Sequence, residues 1–231
     1  DPQRDVDRVL AVAEREGVRI THVFETHVHN DYVTGGRALA NETGATYHVN
    51  ADDEVSFERV GVRDGDVVTV GSMSVTVLAT PGHTFTHLSY ALAGDEGTIG
   101  VFSGGSLTFG STGRPDLLGE ENTDALVHHQ YDSVQRLASE LPDEAQVLPT
   151  HGFGSFCSAT QSDADSSTIG TEKRTNPALT KSEDEWVEEI LAGLSEWPAY
   201  YAHMGVINTA GPQPVDLSLP EPVDPDELRR R

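Results

Sequence analysis

Glu25-Thr26-His27-Val28-His29-Asn30-Asp31-Tyr32 sets two imidazoles and a carboxylate within a few residues of one another, directly after the run Ile20 to Phe24. That run, rich in β-branched and aromatic residues, reads as a short strand. On a strand-to-loop turn alternate side chains point the same way, so His27 and His29 can serve one ion. Moving outward, Pro81-Gly82-His83-Thr84 presents a third imidazole on a tight turn, and Pro149-Thr150-His151-Gly152 presents a fourth. A lone His-x-His recurs by chance. Four loop histidines with a nearby Asp, placed at strand ends where sites are built, point to a metal centre.

The intervening segments supply the frame. Residues 5 to 16 place Val6, Val9, Leu10 and Ala13 on one helical face, and Gly17 supplies the stop. The pattern predicts a helix from Val33 to Thr43 and a strand from Thr46 to Val49. Val67 to Val70 with Ser74 to Ala79, and Leu88 to Ala93 with Thr98 to Phe102, read as hairpins. Thr123 to Leu141 is an amphipathic helix with Val127, Tyr131, Val134, Ala138 and Leu141 on one face, and Gln146 to Leu148 is a short strand stopped by Pro149. Ser182 with Glu185 makes a capping box for a helix carrying Trp186, Ile190 and Leu194. Strands punctuated by helices, with hairpins as well as crossovers, predict an α/β fold built on mixed sheets. Residues 1–210 form the expected domain, and the proline-dense stretch 211–231 an extended tail or linker.

These residues resemble the metallo-β-lactamase superfamily, whose signature is T-H-x-H-x-D-H followed by a P-G-H-T turn. The resemblance covers Asp1 to about Gly211 and implies an αββα four-layer sandwich with one or two metal ions at the edge of two facing sheets. Glu25-Thr26-His27 and Gly113-Arg114-Pro115-Asp116 resemble the persulfide dioxygenases more than the glyoxalase II hydrolases of hydroxyacylglutathione thioesters. Thr168-Ile169-Gly170, Asn176-Pro177-Ala178-Leu179 and Tyr200-Tyr201-Ala202-His203-Met204 resemble a branch often fused to a rhodanese sulfurtransferase domain. Such a domain is then expected to act in trans, if at all.

Three departures qualify what the resemblance implies. Tyr32 stands where the signature ends in His, and a phenol is a poor neutral ligand. Gly105, in Ser103-Gly104-Gly105, stands where a metal-binding Asp is expected. Both losses argue against a two-zinc hydrolytic site. Members of the family also carry a hairpin ahead of the Asp-Pro-x-Arg-Asp segment, which here is Asp1 to Asp5. The expectation is that the first strands are missing through a truncated start, with cover by a partner as the alternative, and that a sheet edge is left open.

The resemblance implies that His27, His29 and His83 hold one divalent ion, with Asp31 and His151 orienting or completing the shell. Fe(II) is favoured, because two imidazoles with a carboxylate suit ferrous iron, and Zn(II) is the alternative. The implied reaction is oxidation of a small thiol persulfide by O2 to sulfite and thiol. Thioester hydrolysis and a non-catalytic scaffold or sulfur carrier are the competing readings. Asp31 also fits a helix N-cap. Tyr32 fits either a hydrogen bond to substrate or packing, and Arg114 either a clamp for the thiol's carboxylate or a pair with Asp116. Cys157 fits buried filler better than a persulfide carrier.

The 38 acidic residues against 15 basic ones give a net charge of -23, which repels nucleic acid and anionic lipid. Lys173 and Lys181 are the only lysines. Acids spread along the whole chain fit a halophile's cytoplasm. One cysteine excludes an intrachain disulfide, and without an 18-residue apolar run or a signal segment the reading is a cytoplasmic chain, its oligomeric state open. Raising KCl from about 0.1 M to about 1 M shortens the screening length from about 10 Å to about 3 Å. The melting temperature, followed by circular dichroism, is expected to rise over that range, and a constant or falling value would contradict the charge argument.

Overall fold

The computed structural model describes residues 1–152, 155–159, 164–216, 218, 222 and 224–230. Helix α1 (Val6–Glu16) stops where Gly17 turns left-handed at φ 65°, a conformation that a side chain would disfavour. Strand β1 (His22–Phe24), helix α2 (Gly36–Thr43) and strands β2 (Thr46–Asn50) and β3 (Val60–Val62) follow. The strands make a parallel sheet in the order β1-β2-β3. Next come β4 (Val67–Val70), β5 (Met73–Ala79), β6 (Leu88–Gly94), β7 (Gly97–Gly104), α3 (Glu120–Glu140), β8 (Gln146–Pro149) and β9 (Ser167–Thr168). Their strands form a second sheet in sequential order, mixed because β7 and β8 pair in parallel while every other pair is antiparallel. Helices α4 (Ile169–Thr175), α5 (Pro177–Thr180), α6 (Glu183–Gly193), α7 (Tyr201–Ala210) and α8 (Pro225–Arg230) complete the described chain.

The apolar clusters give the layering. Val6, Leu39 and Ala40 of α1 and α2 bury against Val23, Tyr47 and Val49 on one face of the parallel sheet. Between the sheets, Val62 meets Val75, Val77, Leu88 and Tyr90, with Phe24 packed alongside. On the outer face of the mixed sheet, Leu78, Ala91, Val101 and Val147 meet Val127, Val134 and Leu137 of α3 and Trp186 and Ile190 of α6. The order is helices, sheet, sheet, helices: the αββα sandwich. Alternation along β5 and β6 accounts for it, since Val75, Val77 and Tyr90 face the inner layer while Leu78 and Ala91 face the helices. Strand β1 is an edge, bordering a cleft of about 1210 Å³ between the sheets that is lined by Val9, Phe24, Tyr90, Leu92 and Phe102 and reaches Thr150 to Gly152.

The capping box of Ser182 and Glu185 is present at the start of α6. Helix α2, expected from Val33, starts at Gly36, because the Thr34 hydroxyl accepts the Gly36 N–H at 2.9 Å and turns the chain before the first helical residue. The N-cap position is Gly35, which has no side chain to cap the helix, so Asp31 is not the cap. Strands β3 and β9 escape the sequence pattern: each is very short and is defined by its neighbour's backbone. After α7, Arg37 and Arg4 donate to the carbonyls of Gly211 and Gln213, tying the first part of the tail to the N-terminal layer. No helix among the described residues is long and apolar enough to cross a membrane.

Leu137 is fully buried between α3 and the mixed sheet. Replacing it with alanine is expected to cost about 2 to 5 kcal/mol in urea unfolding, as buried leucines generally do.

Candidate metal centre

The loops that carry histidines leave the sandwich at one edge. His27 and His29 follow β1, His83 lies in the β5–β6 turn, and His151 follows β8. All four are almost completely buried. Their rings crowd together, with His27 centred 4.1 Å from His29, 4.8 Å from His83 and 5.3 Å from His151.

Hydrogen bonds fix how each ring presents itself. His83 Nδ1 donates to the Arg114 carbonyl at 2.8 Å, and His151 Nδ1 lies 3.3 Å from Asp31 Oδ2, which can only accept. His27 Nδ1 lies 2.8 Å from Thr26 Oγ1. The Thr26 hydroxyl spends its own proton on Asp1 Oδ2, also at 2.8 Å, so it accepts from His27. By elimination the Nε2 atoms of His27, His83 and His151 all carry bare lone pairs. Those of His27 and His151 are 3.4 Å apart, and His83 Nε2 has no hydrogen-bond partner. The three residues offer donor atoms within 4.8 Å of one another.

This arrangement fits a cation. Buried lone pairs facing one another without a proton between them are costly, and an electrophile removes the cost. Metal-binding imidazoles also characteristically donate their other nitrogen to a fixed acceptor, as all three do here. His29 and Asp31 form a second group with His151. His29 Nε2 is taken up by Glu25 Oε2 at 3.1 Å, leaving Nδ1 to face inward, and both that atom and Asp31 Oδ1 lack partners. Burial acts to raise the Asp31 carboxyl, but the hydrogen bond and charge of His151 hold it below the usual carboxylate range.

Of the residues singled out in the sequence, His27, His29, His83, Asp31 and His151 therefore converge, with His151 rather than His29 completing the imidazole trio. Tyr32 does not face that trio. Its hydroxyl sits behind His29, 3.0 Å from Nε2, and donates to the Asp1 carbonyl at 3.3 Å. Burial pushes its phenol pKa up. Arg114 is buried and engaged: it grips Asp116 through Nε at 2.6 Å and Nη2 at 2.7 Å. It also donates to the carbonyls of Phe156 and Ser195 and lies beneath the Trp197 ring. The guanidinium thus braces loops rather than standing open to a ligand. Cys157 is buried, its thiol 3.8 Å from the Tyr201 hydroxyl and pushed up by that burial.

Three contributors were not singled out as site residues. His87 stacks 4.9 Å from His27, with Nδ1 on Thr80 Oγ1 and Nε2 accepting the Gly105 N–H, each at 2.9 Å. Both ring nitrogens are used, so His87 shapes the wall instead of offering a ligand. A Cβ on Gly105 would fall 2.4 Å from His83 Cδ2, so the ring occupies the space that a side chain there needs. The signal for His87 was available: Thr80 and His87 close the mouth of the same hairpin. Asp1 and Glu25 stand within the quoted motifs, but nothing in the local sequence assigns either carboxylate to the site. The Asp1 carboxylate accepts from Thr26 and Thr150, the residues immediately before His27 and His151.

No family model matches the chain. It is 31% identical to the hydroxyacylglutathione hydrolase of Pseudomonas entomophila over 85% of its length and 87% of that protein's. It is 26% identical to human mitochondrial persulfide dioxygenase ETHE1 over 93% of its length and 76% of that protein's. The crystal structure of a metallo-β-lactamase from Staphylococcus aureus superposes with a TM-score of 0.86 at 31% identity, covering 95% of this chain and 67% of that one.

Burial first, and then the neighbouring imidazoles, keeps His27, His83 and His87 neutral below the usual histidine range. In the unfolded chain these groups protonate near pH 6.5. Below about that pH the unfolded state binds more protons than the folded one, so stability falls as pH falls. The urea midpoint of metal-free protein is expected to be lower at about pH 5.5 than at about pH 7.5. An equal or higher midpoint would contradict the assignment of neutral, crowded imidazoles.

Proposed function

The chain belongs to the metallo-β-lactamase superfamily, and from that premise we propose that it is a mononuclear iron enzyme oxidising a low-molecular-weight thiol persulfide with O2. The observation that supports a single ion is the sharing of His151. It belongs both to the trio with His27 and His83 and to the group with His29 and Asp31, while the remaining group, Asp1, Glu25 and His29, is spent on hydrogen bonds to Thr26, Thr34 and Tyr47 and between Glu25 and His29. The residues that would supply further ligands do not: Tyr32 faces away behind His29, and Gly105 has no side chain.

On this reading His27, His83 and His151 hold the ion, with Asp31 and His29 beside it. A mixed imidazole and carboxylate set suits ferrous iron. The bound ion supplies Lewis-acid polarisation of the sulfur substrate and, as Fe(II), reactivity toward O2. The chain's own contribution is orientation and dryness. The Arg114 carbonyl, Thr26 hydroxyl and Asp31 carboxylate hold the three rings in one tautomer, and near-complete burial favours a soft sulfur group over water. Arg114, through Asp116, Phe156 and Ser195, stiffens the wall that positions His83. The overall reaction, RSSH + O2 + H2O giving RSH + sulfite + two protons, oxidises the terminal sulfur by four electrons and reduces O2.

A second reading, zinc-dependent hydrolysis of a hydroxyacylglutathione-type thioester, is favoured by the 31% identity to the Pseudomonas entomophila hydrolase. One set of assays separates the two. Protein loaded anaerobically with Fe(II) is expected to hold about one ion per chain and to consume O2 only with persulfide, releasing sulfite. His83→Ala is expected to abolish that uptake. About two zinc ions per chain with thioester cleavage and no O2 uptake would overturn the proposal in favour of the hydrolase.

A further inference from the structure

The stretch His29 to Thr34, which carries two of the inward-facing donors, belongs to neither strand nor helix, yet its ends, His29 and Thr34, are buried and the residues between them half-buried. Its backbone groups therefore need partners from elsewhere in the chain. One side chain supplies three of them. Asn208, on α7 and only 4% exposed, donates through Nδ2 to the His29 carbonyl at 2.8 Å and to the Tyr32 carbonyl at 2.9 Å. Its Oδ1 accepts the Thr34 N–H at 3.0 Å. Both amide hydrogens and the amide oxygen are thus spent on one short loop more than 170 residues away in sequence.

Further contacts hold Asn208 in register. The Thr209 carbonyl accepts from Ser56 N–H at 2.8 Å, one residue along the same helix. Gly205, one turn earlier, lets the helix come so close that a Cβ there would lie 3.0 Å from Asn30 Oδ1. Below the loop, the Thr34 hydroxyl donates to Glu25 Oε1, and the other oxygen of that carboxylate pairs with His29 Nε2. A continuous path thus runs from α7 through Thr34 and Glu25 to the ring of His29.

We infer that Asn208 is a positioning residue of the metal centre: it holds the His29–Thr34 loop in the path that sets Asp31 Oδ2 against His151 Nδ1 at 3.3 Å and leaves Asp31 Oδ1 4.0 Å from His29 Nδ1. The inference rests on the reading of the histidine cluster as a metal site, but not on which reaction the metal supports. Asparagine suits the task because it alone combines two donors and an acceptor at this short reach. Aspartate keeps the acceptor for Thr34 but sets a carboxylate against two carbonyl oxygens.

The test compares full-length wild type with Asn208→Ala, Asn208→Asp and, as a control on the exposed side of the same helix, Val206→Ser. Cobalt(II) titration, read through its visible ligand-field bands, reports affinity and ligand geometry. Hydrogen exchange of the metal-free proteins reports the loop. Both Asn208 variants are expected to bind cobalt about 10- to 100-fold more weakly, as losses behind a metal ligand generally do. Their bands shift, and exchange rises over residues 27–35 while β5 to β7 stay protected. Val206→Ser matches wild type. If Asn208→Ala does not fold, Asn208→Asp decides. Cobalt bound by wild type and, with unchanged affinity and bands, by a folded Asn208 variant overturns this inference alone. Wild type that takes up no cobalt overturns the metal reading and this inference with it.

Discussion

Every polar atom buried at the edge of this sandwich must find a partner, and four imidazoles crowded within about one ring's width of each other make that constraint severe. The fold meets it on one side only. The Nδ1 atoms of His27, His83 and His151 are each matched to an acceptor, a hydroxyl, a backbone carbonyl and a carboxylate in turn. The other side is left as lone pairs that converge. Neutralising the rings by burial and aiming them by hydrogen bonds are one act, since a protonated ring would satisfy neither its neighbour nor a cation.

The scaffold behind the rings is polar, and it joins distant parts of the chain. Asp1 gathers Thr26 and Thr150, so the strand ends that carry His27 and His151 are held by one carboxylate. Glu25 gathers Thr34, Tyr47 and His29. Asn208 closes the loop from above. Such networks are worth having only when fully satisfied, because a half-satisfied one leaves buried charge or dipole unpaired. Here the atoms left without partners, His83 Nε2, His29 Nδ1 and Asp31 Oδ1 among them, include those that face the candidate ion.

Much of this was legible in the residues. Alternation marked the two hairpins, and the 3.6-residue apolar stripe marked the long helix. Loop histidines beside strand ends marked the site, because local backbone geometry alone decides that such side chains leave the sheet together. What was not legible were the elements that exist only by pairing. Strands β3 and β9 are too short to carry a pattern, and their residues become strand because a neighbour offers free backbone groups. Tyr32 and Arg114 show the same limit from the other side. Their side chains are able to meet a substrate, and packing turned one behind His29 and closed the other on Asp116.

The sequence by itself determined the α/β layering, the superfamily resemblance, the acidic surface and the set of histidines that meet. These depend on periodicity and on residue chemistry at fixed positions along the chain. Only the tertiary structure decided which nitrogen of each ring points inward, that His151 rather than His29 completes the imidazole trio, and that Asp1, Glu25, His87 and Asn208 stand behind it. Hydrogen-bond direction and buried proximity between residues up to 179 positions apart are set by how the sheets and helices close on one another, and no local pattern encodes them.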